Sequence, residues 1–376
     1  MLTELLKNRI NIYWRNIDKK LLLSFIILFL LGLFFSFAST SSLAGERLNK
    51  DYYFFFLKHL LFVLLSLFLM LIISFLNQNF LKKIIIPSFI IVFILLCLVP
   101  IIGIEVKGAK RWLDFYLFRL QPVELIKPFF ILVVANILAQ NSEKTSNTSY
   151  FLSFLLLVSI IILLINQPDI GQSILLMGTW MSMVFISGIS VLYIFFIFVT
   201  FLISLSSLLM FLPQKFNYIT NRLTTFMDPN KGDSFQTQKA LDAIKQGGIK
   251  GQGMGEGILK DSVPEAHTDY VIAVISEEFG SLVSIILITI FLYIAFRIIK
   301  KTVLEKDLII KISLCGLASL LVFQTFIHIG VNTSLLPTTG MTLPYLSYGG
   351  SSLLGSGILA GVILNYTKNR FNDYEI

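Results

Sequence analysis

Along this chain polar residues come in short clusters, and between them run apolar stretches that neither alternate nor keep one apolar stripe. Alternation would mean half-buried strands, and a stripe would mean helices against a soluble core. Uniform apolarity over about 20 residues means a helix crossing a bilayer. The pattern predicts such helices near residues 21–43, 53–76, 81–102, 122–140, 149–166, 169–187, 189–211, 269–297, 308–331 and 348–367. The fifth and sixth are parted only by Gln167 and Pro168, yet joined they would be nearly twice as long as a bilayer is thick. The fold class is therefore an all-α integral membrane protein of about ten transmembrane helices.

An even number of spans puts both termini on one side, and the cations say which. Over the short connections, fourteen Lys and Arg, from Lys7 to Arg370, fall with the termini and six fall opposite. The positive-inside bias makes the termini cytoplasmic. The chain then divides into a cytoplasmic tail (1–20), seven spans (21–211), one long extracytoplasmic loop between helices 7 and 8 (212–268), three spans (269–367) and a short tail (368–376). Within the loop, residues 234–246 read as a helix with Ala240, Leu241 and Ile244 on one face, and the glycines from Gly247 to Gly257 predict irregular backbone.

Composition agrees. Of 376 residues 56% are hydrophobic and 14% charged, with a mean hydropathy of +0.82, too little polar surface for a soluble chain. No small-residue cleavage site precedes a polar chain, so the first apolar run is expected to stay as an anchor. The net charge of +8 reflects cytoplasmic connections and calls for no nucleic acid. Cys97 and Cys315 lie in apolar runs and are not expected to pair. No H-E-x-x-H, P-loop, CxxC or G-x-S-x-G pattern occurs, which removes the usual support for a zinc hydrolase, an NTPase or a serine hydrolase.

Three segments could carry chemistry. Residues 264–269, Pro-Glu-Ala-His-Thr-Asp, lead from the long loop into the eighth span. Thr268 as a cap and Asp269 against the helix dipole would have an ordinary stabilising part of about 0.3–1 kcal/mol. An ionised group beside hydrocarbon is also a functional candidate, and a helix N-terminus favours the ionised state a general base needs. The second segment holds Lys107, Lys110, Arg111, Trp112 and Arg119 on an outer loop, against the charge bias. Lipid headgroups or a bound diphosphate would compensate them. The third, residues 332–352, is uncharged and broken by Pro337, Pro344, Gly340, Gly349 and Gly350. It cannot be one helix, and irregular backbone at membrane depth lines a cavity or packs inside protein.

Lesser signals have structural readings. Glu124 and Lys127 are placed to pair, Asp169 suits a helix start, at least one of Glu277 and Glu278 should face a polar interior, and His59 and His328 read as hydrogen-bonded structural groups.

The motifs GAKRW (108–112), LQPVELIK (120–127), QPDIG (167–171), RLTTFMDP (222–229), GQGMG (251–255), PEAHTD (264–269), EEFG (277–280) and LPTTGMTLPYLSYGGSS (336–352) together resemble the SEDS family (shape, elongation, division and sporulation) over residues 21–365. The likeness is nearer the division branch than the elongation branch, although Thr339 stands where the division branch usually carries lysine. It implies a polymerase of lipid II in the bacterial inner membrane, an inverting glycosyltransferase with its catalytic side outside. Asp269 is then the essential carboxylate and Asp261 an activity-controlling acid, while Arg111 and Trp112 match the family's outer-loop site. The expected substrate-binding set is Lys110, Arg111, Trp112, Arg119, Asp261, Glu265, His267, Thr268, Ser347, Tyr348, Gly349 and Gly350. Expected partners are lipid II, a class B penicillin-binding transpeptidase and other division proteins; no cofactor is required, with a divalent Mg or Mn ion left open. Three alternatives stand beside it, the first being a polymerase of the elongation branch. A flippase of the same lipid would use Glu277, Glu278 and His328 as a relay, and a scaffold would tolerate Asp269→Asn.

Overall fold

A backbone in hydrocarbon has no water to bond with, so each long apolar run must satisfy its own peptide groups and becomes a helix. The structure, a computed structural model, describes residues 2–39, 54–106, 108–116, 118–140, 147–211, 217–228 and 234–369. Its helices are α1 (Leu2–Asn16), α2 (Lys19–Ser39), α3 (Phe54–Phe75), α4 (Gln78–Ile102), α5 (Pro122–Leu138), α6 (Asn147–Asn166), α7 (Ile170–Ile186), α8 (Val191–Phe211), α9 (Asn217–Met227), α10 (Phe235–Gly247), α11 (Val271–Leu304), α12 (Leu308–Asn332) and α13 (Gly350–Tyr366). Among the described residues α2, α3, α4, α6, α11 and α12 are long and apolar enough to cross a membrane, and α7 and α13 are shorter apolar helices. The described part of each segment read as a span falls on a helix, residues 40–43 of the first and 53 of the second lying outside the described residues.

The all-α expectation needs one correction. A small antiparallel sheet is formed by β1 (Ile104–Val106), β2 (Ala109–Asp114) and β3 (Arg119–Leu120). Their short alternation buries Leu113 and Leu120 on the bundle and leaves Lys110 and Asp114 exposed. The N-terminal tail is also ordered more than a tail implies. It is helix α1, whose Tyr13 Oη bonds Ser74 Oγ at 2.6 Å.

The basic connections meet at one end of the bundle. Arg297 Nη2 lies 2.9 Å from Asp18 Oδ1, and Lys82 Nζ lies 3.0 Å from Asp307 Oδ2. The Asn369 amide donates to the Asn16 carbonyl at 2.9 Å. Deeper in, α13 is packed on α3 through small residues. A Cβ at Gly357 would stand 2.6 Å from the Ser66 carbonyl oxygen, and one at Gly361 would stand 2.9 Å from that of Met70. Lipid gives no hydrophobic push between helices, so such close backbone approach is what holds them.

α11 is broken. Gly280 has φ 87° and ψ 165° inside the helix, and the backbone groups freed there are taken up by the turn after α10. Gln252 and Gly253 amides donate to the Glu277 and Glu278 carbonyls, both at 2.9 Å, and the Ser281 amide donates to the Gly248 carbonyl at 2.9 Å. Lys260 Nζ reaches Glu278 Oε1 at 2.5 Å, and the Leu259 amide donates to Glu277 Oε1 at 2.7 Å, so both buried acids face polar groups. A Cβ on Gly280 would collide with the Ile249 carbonyl and the Gly251 amide. Gly280→Ala is expected to destabilise the fold by about 3 kcal/mol or more, combining a forbidden φ with overpacking. A lowered unfolding midpoint in detergent would register it, and an unchanged midpoint would mean the break is not held as described.

Candidate active site

The end opposite the basic connections opens into a cavity of about 1120 Å³. Parts of the chain that are far apart in sequence wall it, chiefly the β-sheet, α9, the turn before α11, and the irregular stretch between α12 and α13, with α3 contributing Lys58 and Phe62. Arg111, Trp112, Arg119, Glu265, Thr268, Asp269, Tyr348, Gly349 and Gly350 all line it, which gathers the three segments singled out in the sequence around one space.

Arg111 owes its aim to an irregularity. Ile104 is paired with Trp112 but Glu105 with Lys110, so the register slips at Arg111. A bulge of this kind turns a side chain from its alternate face, and Arg111 and its neighbour Trp112 both reach the cavity. Arg111 is braced from behind. Its Nε donates to the Gln167 carbonyl at 3.0 Å, Nη2 donates to the Pro168 carbonyl, and Asp169 Oδ2 lies 3.9 Å away. Asp169 also caps α7, accepting from the Gln172 amide, as its position before that helix suggested.

Asp269 sits on a tight turn. The Glu265 carbonyl accepts from the Thr268, Asp269 and Tyr270 amides, with Glu265 at φ 56°. A methyl group at Gly340 would stand 3.4 Å from Asp269 Oδ2 and 3.8 Å from Arg111 Nη1. The carboxylate and the guanidinium thus flank one glycine, whose φ of 71° suits its lack of a side chain. The capping expected of Thr268 does not occur. Its hydroxyl turns back to Glu265, and α11 begins only at Val271, with no side-chain bond from its cap residue Tyr270.

Other expected residues lie outside the cavity wall. Lys110 is on the exposed face of β2 and does not line the cavity, because the bulge re-aims Arg111 and Trp112 but leaves the residue before them in place. Ser347 is buried: its hydroxyl donates to the Thr268 carbonyl at 2.6 Å and accepts from the Leu343 amide at 2.8 Å. The Tyr348 amide donates to the His267 carbonyl at 2.8 Å. Ser347 and His267 therefore stitch the two walls together without facing the space. Asp261 lies in a short 3-10 turn, Leu259–Ser262; its side chain and Lys107 are outside the described residues.

Sequence reasoning passed over three lining groups. Lys58 projects from α3, Tyr218 and Arg222 from α9. Arg222 Nη1 donates to the Thr338 carbonyl at 3.0 Å. Burial first, then the nearby Arg111 charge, pushes the Arg222 guanidinium below its ordinary value, while Asp169 and Asp269 oppose that. Two guanidiniums turned toward one half-enclosed space repel each other, and an anion between them relieves the repulsion. A lone lysine at the head of an apolar helix was the available signal for Lys58.

Behind the wall runs a buried polar chain. Lys127 Nζ lies 2.8 Å from Glu124 Oε2, both residues under 5% exposed, which is the pairing their spacing suggested. Gln172 Nε2 donates to Glu124 Oε1 at 2.8 Å, and Lys127 Nζ donates to Gln324 Oε1 at 3.1 Å. His328 Nδ1 donates to the Met341 carbonyl at 2.7 Å, whereas His59, also buried, has no hydrogen-bond partner among the described residues.

Known proteins resemble this chain over nearly its whole length. A family described as "Cell cycle protein" (FtsW, RodA, SpoVE) matches residues 19–372. The probable peptidoglycan glycosyltransferase FtsW of Caulobacter vibrioides is 32% identical over 368 residues, 98% of this chain and 93% of that protein. That of Francisella salina is 34% identical over 351 residues, 90% of this chain and 87% of that protein. Among solved structures, one of a peptidoglycan synthase complex, concerned with coordination of polymerization and crosslinking, superposes with a TM-score of 0.77 at 24% identity, covering 93% of this chain and 97% of its own. The rod shape determining protein RodA of Thermus thermophilus gives 0.68 at 23% identity, covering 93% and 96%.

Proposed function

Because this chain belongs to the FtsW, RodA and SpoVE family of cell cycle proteins, we propose that it is a membrane-embedded peptidoglycan glycosyltransferase that polymerises lipid II during septal wall synthesis. The observation that carries the reading is the Asp269 carboxylate facing Arg111 across Gly340 in a cavity that also receives Arg222 and Lys58. Lipid II presents a sugar on an undecaprenyl diphosphate, a good leaving group that needs charge neutralisation more than a proton. One base with several cations therefore suits the chemistry, where a glycosidase would need a second carboxyl group as acid.

In this mechanism Asp269 takes the proton from the acceptor GlcNAc 4-hydroxyl as its oxygen attacks MurNAc C1 of the donor. The C1–O bond to the diphosphate breaks in line, inverting the centre to a β-1,4 linkage. Arg111 and Arg222 receive the charge that develops on the departing diphosphate, and Lys58 adds a third cation. Trp112 offers a ring face to a sugar. A Mg or Mn ion, left open by the sequence, finds no cluster of three or more His, Cys, Asp or Glu side chains among the described residues.

The reading places ten spans in the bacterial inner membrane, with both termini cytoplasmic and the cavity outside. A class B penicillin-binding transpeptidase crosslinks the product, and other division proteins recruit the pair. The basic connections gathered at the end away from the cavity support that orientation. The test is purified protein with its transpeptidase, incubated with lipid II in detergent. Glycan chains are the expected product. Headgroup translocation in proteoliposomes without glycan would establish the flippase instead.

A further inference from the structure

We propose that Asn332 is a positioning residue for Asp269, acting from a different helix. The inference rests on the reading of Asp269 as the base and adds what holds that base in place. Three consecutive carbonyls at the carboxylate are held, the first two by the neighbours Tyr348 and Ser347 and the third by Asn332 on α12. The His267 carbonyl accepts from the Tyr348 amide at 2.8 Å, that of Thr268 from Ser347 Oγ at 2.6 Å, and that of Asp269 from Asn332 Nδ2 at 2.9 Å.

Asn332 does more than accept its place at the end of α12. Its Oδ1 accepts from the Ala273 amide at 3.2 Å, and Nδ2 also donates to the His328 carbonyl at 2.8 Å. Ala273 carries one of the first amides of α11, which lack the ordinary partner four residues back. Its amide donates to the Tyr270 carbonyl at 3.0 Å and to Asn332 as a second acceptor. Tyr270, the residue at the cap position, supplies no side-chain bond. Asn332 therefore caps α11 from outside, and the same amide group fixes the carbonyl of Asp269. It is 0% exposed, so water does not compete for these bonds.

The residue ends a stripe. Gln324, His328 and Asn332 are spaced four apart on one face of α12, and all are under 5% exposed. Gln324 Nε2 donates to the Thr342 carbonyl at 3.0 Å and His328 bonds that of Met341, so the stripe holds the cavity wall at two successive residues and the carboxylate's backbone at a third. One rigid helix thus sets the distance between Asp269 and the wall that carries Gly340.

Asn332→Asp separates the two jobs. A carboxylate still accepts from the Ala273 amide but cannot donate to the Asp269 carbonyl. In the lipid II polymerisation assay, kcat is expected to fall about 10- to 100-fold, the scale of a misplaced reacting group, while KM for lipid II stays within about twofold. Asn332→Ser, shorter and still polar, gives the same split if the aspartate variant does not accumulate. Wild-type kcat, or a loss confined to KM or to the unfolding midpoint, overturns the proposal. Asp269→Asn is run alongside. If it retains activity, the base assignment fails, and if it is dead while Asn332→Asp is fully active, only the positioning role fails.

Discussion

Replacing Asp269 with asparagine is expected to lower the rate of lipid II polymerisation by about 10²- to 10⁴-fold, the range supplied by a positioned general base. Asparagine has nearly the same shape and can keep every backbone bond of the turn, since the Glu265 carbonyl and Asn332 address the main chain at this position. The unfolding midpoint should therefore not move, and lipid II should still bind, because Arg111, Arg222 and Lys58 are untouched. What is lost is the ability to take the proton from the acceptor hydroxyl. The check is glycan product per unit time from purified variant and parent at saturating lipid II. Product at the parent's rate would remove Asp269 from the mechanism.

Lys127→Met should produce the largest loss of stability. The ion pair with Glu124 has both partners under 5% exposed, and removing one member of a buried pair costs about 3–5 kcal/mol because the other is left charged without compensation. Gln172 still donates to Glu124, but one neutral amide does not balance a carboxylate. Gln324 Oε1 loses its donor as well. The double change Glu124→Gln with Lys127→Met removes both charges and is expected to recover most of the loss, since buried ion pairs exchange for neutral groups at little net cost. Unfolding midpoints of the four proteins in one detergent form the cycle. If the single and double variants are equally destabilised, the pair is not the reason.

How much of this was legible beforehand depends on how local each feature is. The helices were readable because a run of apolar residues in lipid has one solution for its backbone. Glu124 with Lys127, and Asp169 before α7, were readable because each depends on neighbours within one turn. The sheet of β1, β2 and β3 was not, being three short strands amid long helical runs. Nor could spacing distinguish Arg111, which the bulge turns into the cavity, from Lys110, which stays outside. Arg222 reaches the site only because α9 folds over it, joining residues 116 positions apart to Thr338. The misassigned cap has the same cause. Thr268 has the right side chain in the right place along the chain, but the cap comes from Asn332, far downstream.

The break in α11 also bears on how the chain is made. Left alone in hydrocarbon, the peptide groups around Gly280 would each forfeit several kcal/mol. Their partners, at Gly248, Gln252 and Gly253, are synthesised earlier than α11 itself. The ribosome delivers the receptor before the interrupted segment arrives, so the discontinuous helix can be completed on insertion. Moving that glycine-rich turn behind α11 by circular permutation would reverse the sequence of events and leave the nascent segment waiting, half satisfied, in lipid.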